Sequence, residues 1–284
     1  MRPDGDEPAT WGARTARLRR PPGIGRAQAW LVRAEPRDRA CLTLVCFPYA
    51  GGGASVFRRW SEWLPDEDDV AAVQPPGREQ RLLEPVFREL DPLLREIVSR
   101  LAPALTDPFA FFGHSLGALL AYEVAHALRS QREPRCLFVS GCRAPHLPPS
   151  RDPIHRLPDR SFIDELRRLG GTPSEILDHD EMIQLLLPLL RADIGISETY
   201  VHRSRPRLTC PIVAFGGVND PDVTAMALAA WGGHTEGPFT FQLFPGDHFF
   251  LQESRAALLA SMSEVLDRLL TPAVQIDVVG RAFT

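Results

Sequence analysis

The stretch Phe109-Ala110-Phe111-Phe112-Gly113-His114-Ser115-Leu116-Gly117-Ala118 decides the fold. Four apolar residues, suited to a strand covered on both faces, run straight into G-x-S-x-G. Apolar positions at helical spacing follow at Leu116, Leu120, Val124, Ala127 and Leu128, and stop before Pro134. A serine between two glycines at a strand-to-helix junction encodes a strained turn that lifts its hydroxyl above the end of a sheet. The amide of Leu116, at the start of the helix, then points to where an oxyanion would form. The five-residue pattern alone is common; the strand before it and the helix after it make it specific.

Working outward, short apolar runs alternate with helical patterns. The strand-like runs are Ala29–Arg33, Cys41–Phe47, Val70–Val73, Phe109–Phe112, Cys136–Ser140, Pro211–Phe215 and Phe239–Phe244. Helical periodicity covers Leu90–Leu105, Leu116–Leu128 and Arg255–Leu269. This alternation predicts an α/β fold, a mainly parallel central sheet with helices on both faces. Between Ser140 and Pro211 no strand signal occurs, and a structureless loop of that length inside a domain is improbable. Ser161–Leu169, with Ser161 as N-cap and Gly170-Gly171 behind it, and Asp180–Arg191, with a kink or stop at Pro188, predict a helical lid over about 146–205.

Composition removes several classes. The chain has 284 residues; its 32 basic residues are all Arg, against 36 Asp and Glu, for a net charge of −4. A mildly acidic chain without a basic block is a poor nucleic-acid binder. No apolar run is long enough to span a bilayer, and the first 26 residues carry arginines without an apolar h-region. The expectation is a cytoplasmic monomer, with residues 1–27 a disordered leader and 28–284 one domain. Without lysine, Schiff-base and P-loop lysine chemistry are excluded. The five cysteines, Cys41, Cys46, Cys136, Cys142 and Cys210, form no C-x-x-C pair and are expected to be buried, reduced thiols. No metal or cofactor is expected.

A serine nucleophile needs a base held by an acid, in the chain order Ser, Asp or Glu, His on this kind of sheet. Of eight histidines, His248 is placed best, in Phe244-Pro245-Gly246-Asp247-His248-Phe249 after the last strand; His234 is second. His114 is a packing neighbour, and His126, His146, His155, His179 and His202 fall on helix surfaces or in the lid. The acid is Asp220, after Pro211–Phe215 and before Pro221, with Asp222 as its rival and Asp247 a solvated loop charge. The second oxyanion donor belongs to Pro48-Tyr49-Ala50-Gly51-Gly52-Gly53-Ala54: Ala50, or else Gly51.

At this point the chain resembles the stand-alone type II thioesterases of polyketide and non-ribosomal peptide synthesis, within the α/β-hydrolase superfamily. The resemblance spans roughly 42 to 270. Beyond the serine turn it rests on Phe47-Pro48-Tyr49-Ala50-Gly51-Gly52, Pro76-Gly77-Arg78-Glu79, Leu166-Arg167-Arg168-Leu169-Gly170-Gly171-Thr172-Pro173, Leu187-Pro188-Leu189-Leu190-Arg191-Ala192-Asp193 and Glu198-Thr199-Tyr200. Phe215-Gly216-Gly217 with Asp220-Pro221, and Phe244 to Leu251, complete the series. The resemblance implies an α/β-hydrolase fold, an acid at Asp220, and hydrolysis of acyl thioesters on the phosphopantetheine arm of acyl or peptidyl carrier domains, in an editing role. The lid would govern access, and Arg58, Arg59 and Arg78 are candidates to meet an acidic carrier domain. A general serine carboxylesterase acting on small oxoesters is the alternative, and a non-catalytic protein on the same fold is a more distant one.

Overall fold

Phe109 and Phe111 pack on one side of their strand while Ala110 and Phe112 pack on the other, so period-two alternation feeds two separate apolar layers. A computed structural model of the chain describes residues 30–37, 40–105 and 108–270; the expected leader and the first residue of the first expected strand lie outside them. Among the described residues seven strands form one sheet: β1 Leu31–Val32, β2 Leu42–Phe47, β3 Asp68–Val73, β4 Phe109–His114, β5 Leu137–Ser140, β6 Ile212–Gly217 and β7 Phe239–Phe244, in the order β1-β3-β2-β4-β5-β6-β7. Only β1 is antiparallel. Strands β2 to β6 are buried along their whole length, in keeping with their mainly apolar runs; β7, at the edge, is exposed through its middle.

One layer carries α1 (Leu90–Leu101) and α2 (Leu116–Leu128), with Ile97, Leu101 and Val124 against Val45, Phe111 and Val139 of the sheet. Leu258, Leu259, Met262 and Leu266 of the C-terminal helix Arg255–Leu270 cover the opposite face. The chain order reverses at β2: β3 lies on one side of it and β4 on the other. At such a switch point the loops leaving neighbouring strand ends diverge and open a crevice. Phe47 of β2 and Gly113 of β4 are in register, so the glycine-rich loop and the serine turn emerge side by side there.

Between β5 and β6 the chain forms α3 (Asp159–Leu169), α4 (Ser174–Leu177) and α5 (Asp180–Glu198). These helices have their own apolar core, including Phe162, Leu166, Ile183, Leu187 and Leu190. Outside the insertion, α1 stops at Leu101 rather than Leu105 and β3 begins at Asp68 rather than Val70; within it, two helix boundaries differ from expectation. α3 begins two residues before Ser161, with Pro158 in the N-cap position, since proline's fixed φ suits a helix entry. α5 runs through Pro188 to Glu198 because Pro188 and Gln184, whose carbonyl it leaves without a donor, both face solvent. Gly170 does end α3, in the left-handed region at φ 74°. Helices α6 (Ala225–Ala229) and α7 (Phe250–Glu253), not anticipated from the sequence, precede the C-terminal helix, α8. No helix among the described residues is long and apolar enough to cross a membrane.

Candidate active site

The serine turn is as tight as its glycines imply. Ser115 has φ 54° and ψ −120°, and among the described residues only Glu79 is another non-glycine residue with positive φ. Backbone strain of this kind persists only where the surroundings over-determine it. They do here: a Cβ on Gly117 would stand 2.0 Å from the Phe47 carbonyl oxygen, and one on Gly113 2.1 Å from the Gly117 oxygen. The Ser115 amide donates to the Ser140 carbonyl at 2.8 Å, tying the turn to β5.

The other two groups come from the ends of β6 and β7, where Gly217 and Phe244 are in register. Past that register the loops stay joined, Val218 donating to the Phe244 carbonyl and Asn219 to that of Gly246, both at 2.9 Å. This brings His248 Nδ1 to 2.7 Å from Asp220 Oδ2. The Asp220 side chain is fully buried, and its other oxygen accepts the amides of Asp222 (2.9 Å) and Val223 (3.1 Å). A carboxylate fixed this way can hold the imidazole in one orientation, with Nε2 as the base.

Ser115, His248, Leu116 and Ala50 line one cavity of about 130 Å³, roofed by Leu166, Leu169 and Leu190 of the helical insertion. The profile of the thioesterase domain matches residues 42–266. The gramicidin S biosynthesis protein GrsT of Aneurinibacillus migulanus is 42% identical over 253 residues, 88% of this chain and 99% of that protein. The thioesterase PikA5 of Streptomyces venezuelae is 41% identical over 240 residues, covering 84% of this chain and 85% of that one. Among solved structures, the type II thioesterase BorB of the borrelidin biosynthetic cluster superposes with a TM-score of 0.78 at 37% identity, covering 84% and 98%.

The chain belongs to the thioesterase family.

Its fold is that of the α/β-hydrolases, and the chain is a serine hydrolase of this thioesterase family. Within the thioesterase site Asp220, not Asp222, faces His248. Asp222 lines the cavity with its carboxylate 3.8 Å from Arg151 Nε. Asp247 is exposed and caps the Phe249 amide. His234 turns away from the cavity, bonded to Tyr122 Oη (3.0 Å) and to His146 Nδ1 (2.7 Å). The remaining histidines lie where expected, His126 on α2 and the others within the 146–205 segment; beyond that, His146 and His202 pack with His234, and His126 stacks edge-on against Tyr122. His155 binds Glu198 at 2.7 Å, and His179 caps α5. His114 is wholly buried, held by Ser140 Oγ at 2.9 Å, and burial keeps its pKa well below the ordinary value; it stays neutral beside His248.

The cysteine expectation holds for Cys46, Cys136 and Cys210, while Cys142 is partly covered and Cys41 is exposed. Burial pushes the Cys142 thiol, which lines the cavity, up to about 12, so it is no rival nucleophile. Arg78 is not a surface residue. It forms a buried, two-pronged ion pair with Asp193 of α5, Nη1 to Oδ2 at 2.8 Å and Nη2 to Oδ1 at 3.1 Å. The signal for it was present: Asp193 is the one acid in the apolar run Ala192-Asp193-Ile194-Gly195-Ile196, and a buried acid requires a partner. Arg143 and Arg151, which line the cavity, carry no such signal. Among the described residues no cluster of three or more His, Cys, Asp or Glu is arranged to hold a metal ion.

Proposed function

We propose that this thioesterase releases acyl groups from the phosphopantetheine arm of acyl or peptidyl carrier domains, clearing stalled or misprimed chains from a polyketide or non-ribosomal peptide synthase. The observation that carries the reading is the His248–Asp220 pair at 2.7 Å, opening with Ser115 onto one covered cavity. His248 takes the Ser115 proton as Oγ attacks the thioester carbonyl, and Asp220 stabilises the imidazolium. The Leu116 and Ala50 amides bind the oxyanion. The C–S bond breaks, the thiol takes the proton from His248, and the acyl group rests on Ser115. Water, deprotonated by His248, attacks the ester and releases the acid. No metal or diffusible cofactor enters these steps. The biosynthetic settings named for GrsT, gramicidin S, and for BorB, the borrelidin cluster, support this reading.

Arg78 takes no part in meeting a carrier, because Asp193 holds it inside the protein. Arg58 and Arg59 are exposed, but Arg59 is already engaged by Glu62 at 2.9 Å, which leaves Arg58 as the better contact for an acidic carrier surface. We place the protein in the cytoplasm as a monomer.

The test is acid and thiol release from acetyl- and longer acyl-phosphopantetheinyl carrier protein, beside the matching acyl-CoA and beside Ser115→Ala. The expected result is release from the carrier that exceeds release from CoA, with a loss of about 10⁶-fold in kcat in the variant. Fast turnover of nitrophenyl esters without turnover of the carrier substrate would move the assignment to a carboxylesterase.

A further inference from the structure

The loop carrying Ala50 is held by side chains that lie outside it. The Gly51 amide donates to Asp193 Oδ2 at 2.8 Å, and Arg78 Nη1 donates to the Gly52 carbonyl at 3.0 Å. Gln74 Oε1 accepts the Ala54 amide at 2.5 Å, while its Nε2 donates to the Arg78 carbonyl at 3.1 Å. Glu79 Oε1 accepts the Ser55 amide at 3.0 Å. Three of these groups come from the segment after β3. The fourth, Asp193, comes from the helical insertion. Gly51 turns at φ 77° against α5, where a Cβ would stand 2.5 Å from Leu190 Cδ2. Glu79, in the same Pro76-Gly77-Arg78-Glu79 motif, has the second strained backbone, at φ 48°.

A buried ion pair by itself says little about stability, since an apolar pair of similar volume often serves as well. An apolar pair has no way to bind the amide of Gly51 and the carbonyl of Gly52, however, and those peptides directly follow Ala50. Oxyanion stabilisation depends on a donor fixed within a few tenths of an ångström before the reaction begins. We propose that Arg78 and Asp193 are positioning residues for the oxyanion hole: together they fix the Ala50 amide from α5, so the hole is assembled jointly by the sheet and the insertion. This rests on Ala50 being an oxyanion donor. It follows that α5 is the fixed part of the insertion. Lifting it would separate two buried charges and release the loop at the same time.

The test uses the full chain with active sites titrated by a fluorophosphonate, so that rates are per competent site. Asp193→Asn keeps an acceptor for the Gly51 amide but loses the pairing charge. The double variant Arg78→Met with Asp193→Leu removes both charges and spares the fold an unpaired one. In each, kcat per titrated site on acetyl-carrier and on nitrophenyl acetate is expected to fall on the order of 10²-fold, with KM within about threefold of the parent. The pH profile of kcat/KM keeps the shape it has in the parent. A merely structural pair would lower the titratable fraction and the melting temperature and leave the rate per site alone. A per-site kcat within about threefold of the parent in either folded variant overturns the proposal. Activity surviving in Ser115→Ala would instead overturn the functional reading, and the nitrophenyl ester arm keeps the two failures apart.

Discussion

Ser115, Asp220 and His248 stand at the ends of three strands, β4, β6 and β7, whose register is set by ladder pairing across the sheet. The helical insertion between β5 and β6 is built otherwise: a compact local unit around Phe162, Leu166, Ile183 and Leu187, spaced at helical intervals within one segment of chain. The first region places reacting groups by long-range pairing and tolerates almost no change at its turns. The second places a roof by local packing. The difference teaches which errors each can absorb. A small change at a strand end misplaces a reacting atom, whereas a change in the insertion away from Asp193 alters what covers the site.

The sharpest test of this contrast exchanges the two neighbouring carboxylates. Asp220→Asn is expected to cost about 10⁴-fold in kcat, because the amide presents the wrong partner to His248 Nδ1. Asp222→Asn, two residues away and facing Arg151, should stay within about tenfold. Steady-state kinetics on one acyl-carrier substrate checks both, and an equal loss at the two positions would break the assignment of the acid.

Next in size is the turn itself. Gly117→Ala sets a methyl group 2.0 Å from the backbone of Phe47, which has no rotamer by which to yield. A loss of about 3 kcal/mol is expected, on the order of 6 °C in melting temperature for a chain of this size. Phe162→Ala should remove a similar amount, about 3 kcal/mol, from the insertion. The two differ in where the loss is felt. Hydrogen exchange should show faster opening across the sheet for Gly117→Ala, and only over α3 to α5 for Phe162→Ala. Uniform loss of protection in both would mean that the insertion is not a separate unit.

This division also explains what the sequence made legible. Each strand was visible as a short, mainly apolar run, and the central ones most clearly, because burial on both faces leaves stretches such as Leu44–Phe47 and Phe109–Phe112 without a polar residue. Ser115 and His248 followed from the motifs at strand ends. Between Asp220 and Asp222 the alternatives stayed open from the residues alone, since two residues of loop decide which carboxylate turns inward. α4 and α6 escaped notice because four or five residues make little more than one helical turn and cannot show a repeat. The Arg78–Asp193 pair spans 115 residues of chain and two elements with no sequence link, and only the assembled fold brings them together.

Acid should probe the sheet side in a further way. His234 lies between Tyr122, Trp231 and His146, and burial, reinforced by His146 and His202, lowers its pKa to about 4. A histidine held below its ordinary 6.5 takes up a proton more readily in the unfolded chain. The stability linked to it is therefore complete above about pH 6.5 and is lost as pH falls toward about 4. His126, lowered to about 3 chiefly by burial, extends the same trend. His234→Gln should flatten the fall in melting temperature over this window, with Trp231 emission as a local reporter; an unchanged slope would mean that other groups govern acid unfolding.

The smallest effect expected lies in the insertion, and it separates backbone conformation from packing. Gly170 ends α3 at φ 74°, and a Cβ there would meet nothing within 4 Å. Gly170→Ala thus adds no clash, unlike Gly117→Ala, and leaves only the penalty of a left-handed backbone, about 1 kcal/mol. That amounts to roughly 2 °C in melting temperature. Because Gly170 leads into Gly171, which packs against Phe249 beside His248, slackening this cap should raise KM for the acyl-carrier substrate before it touches kcat. A fall in kcat with KM unchanged would mean instead that the α3 end of the insertion, like the α5 end, helps to set the reacting groups, and the contrast between a placing sheet and a covering roof would give way at both ends.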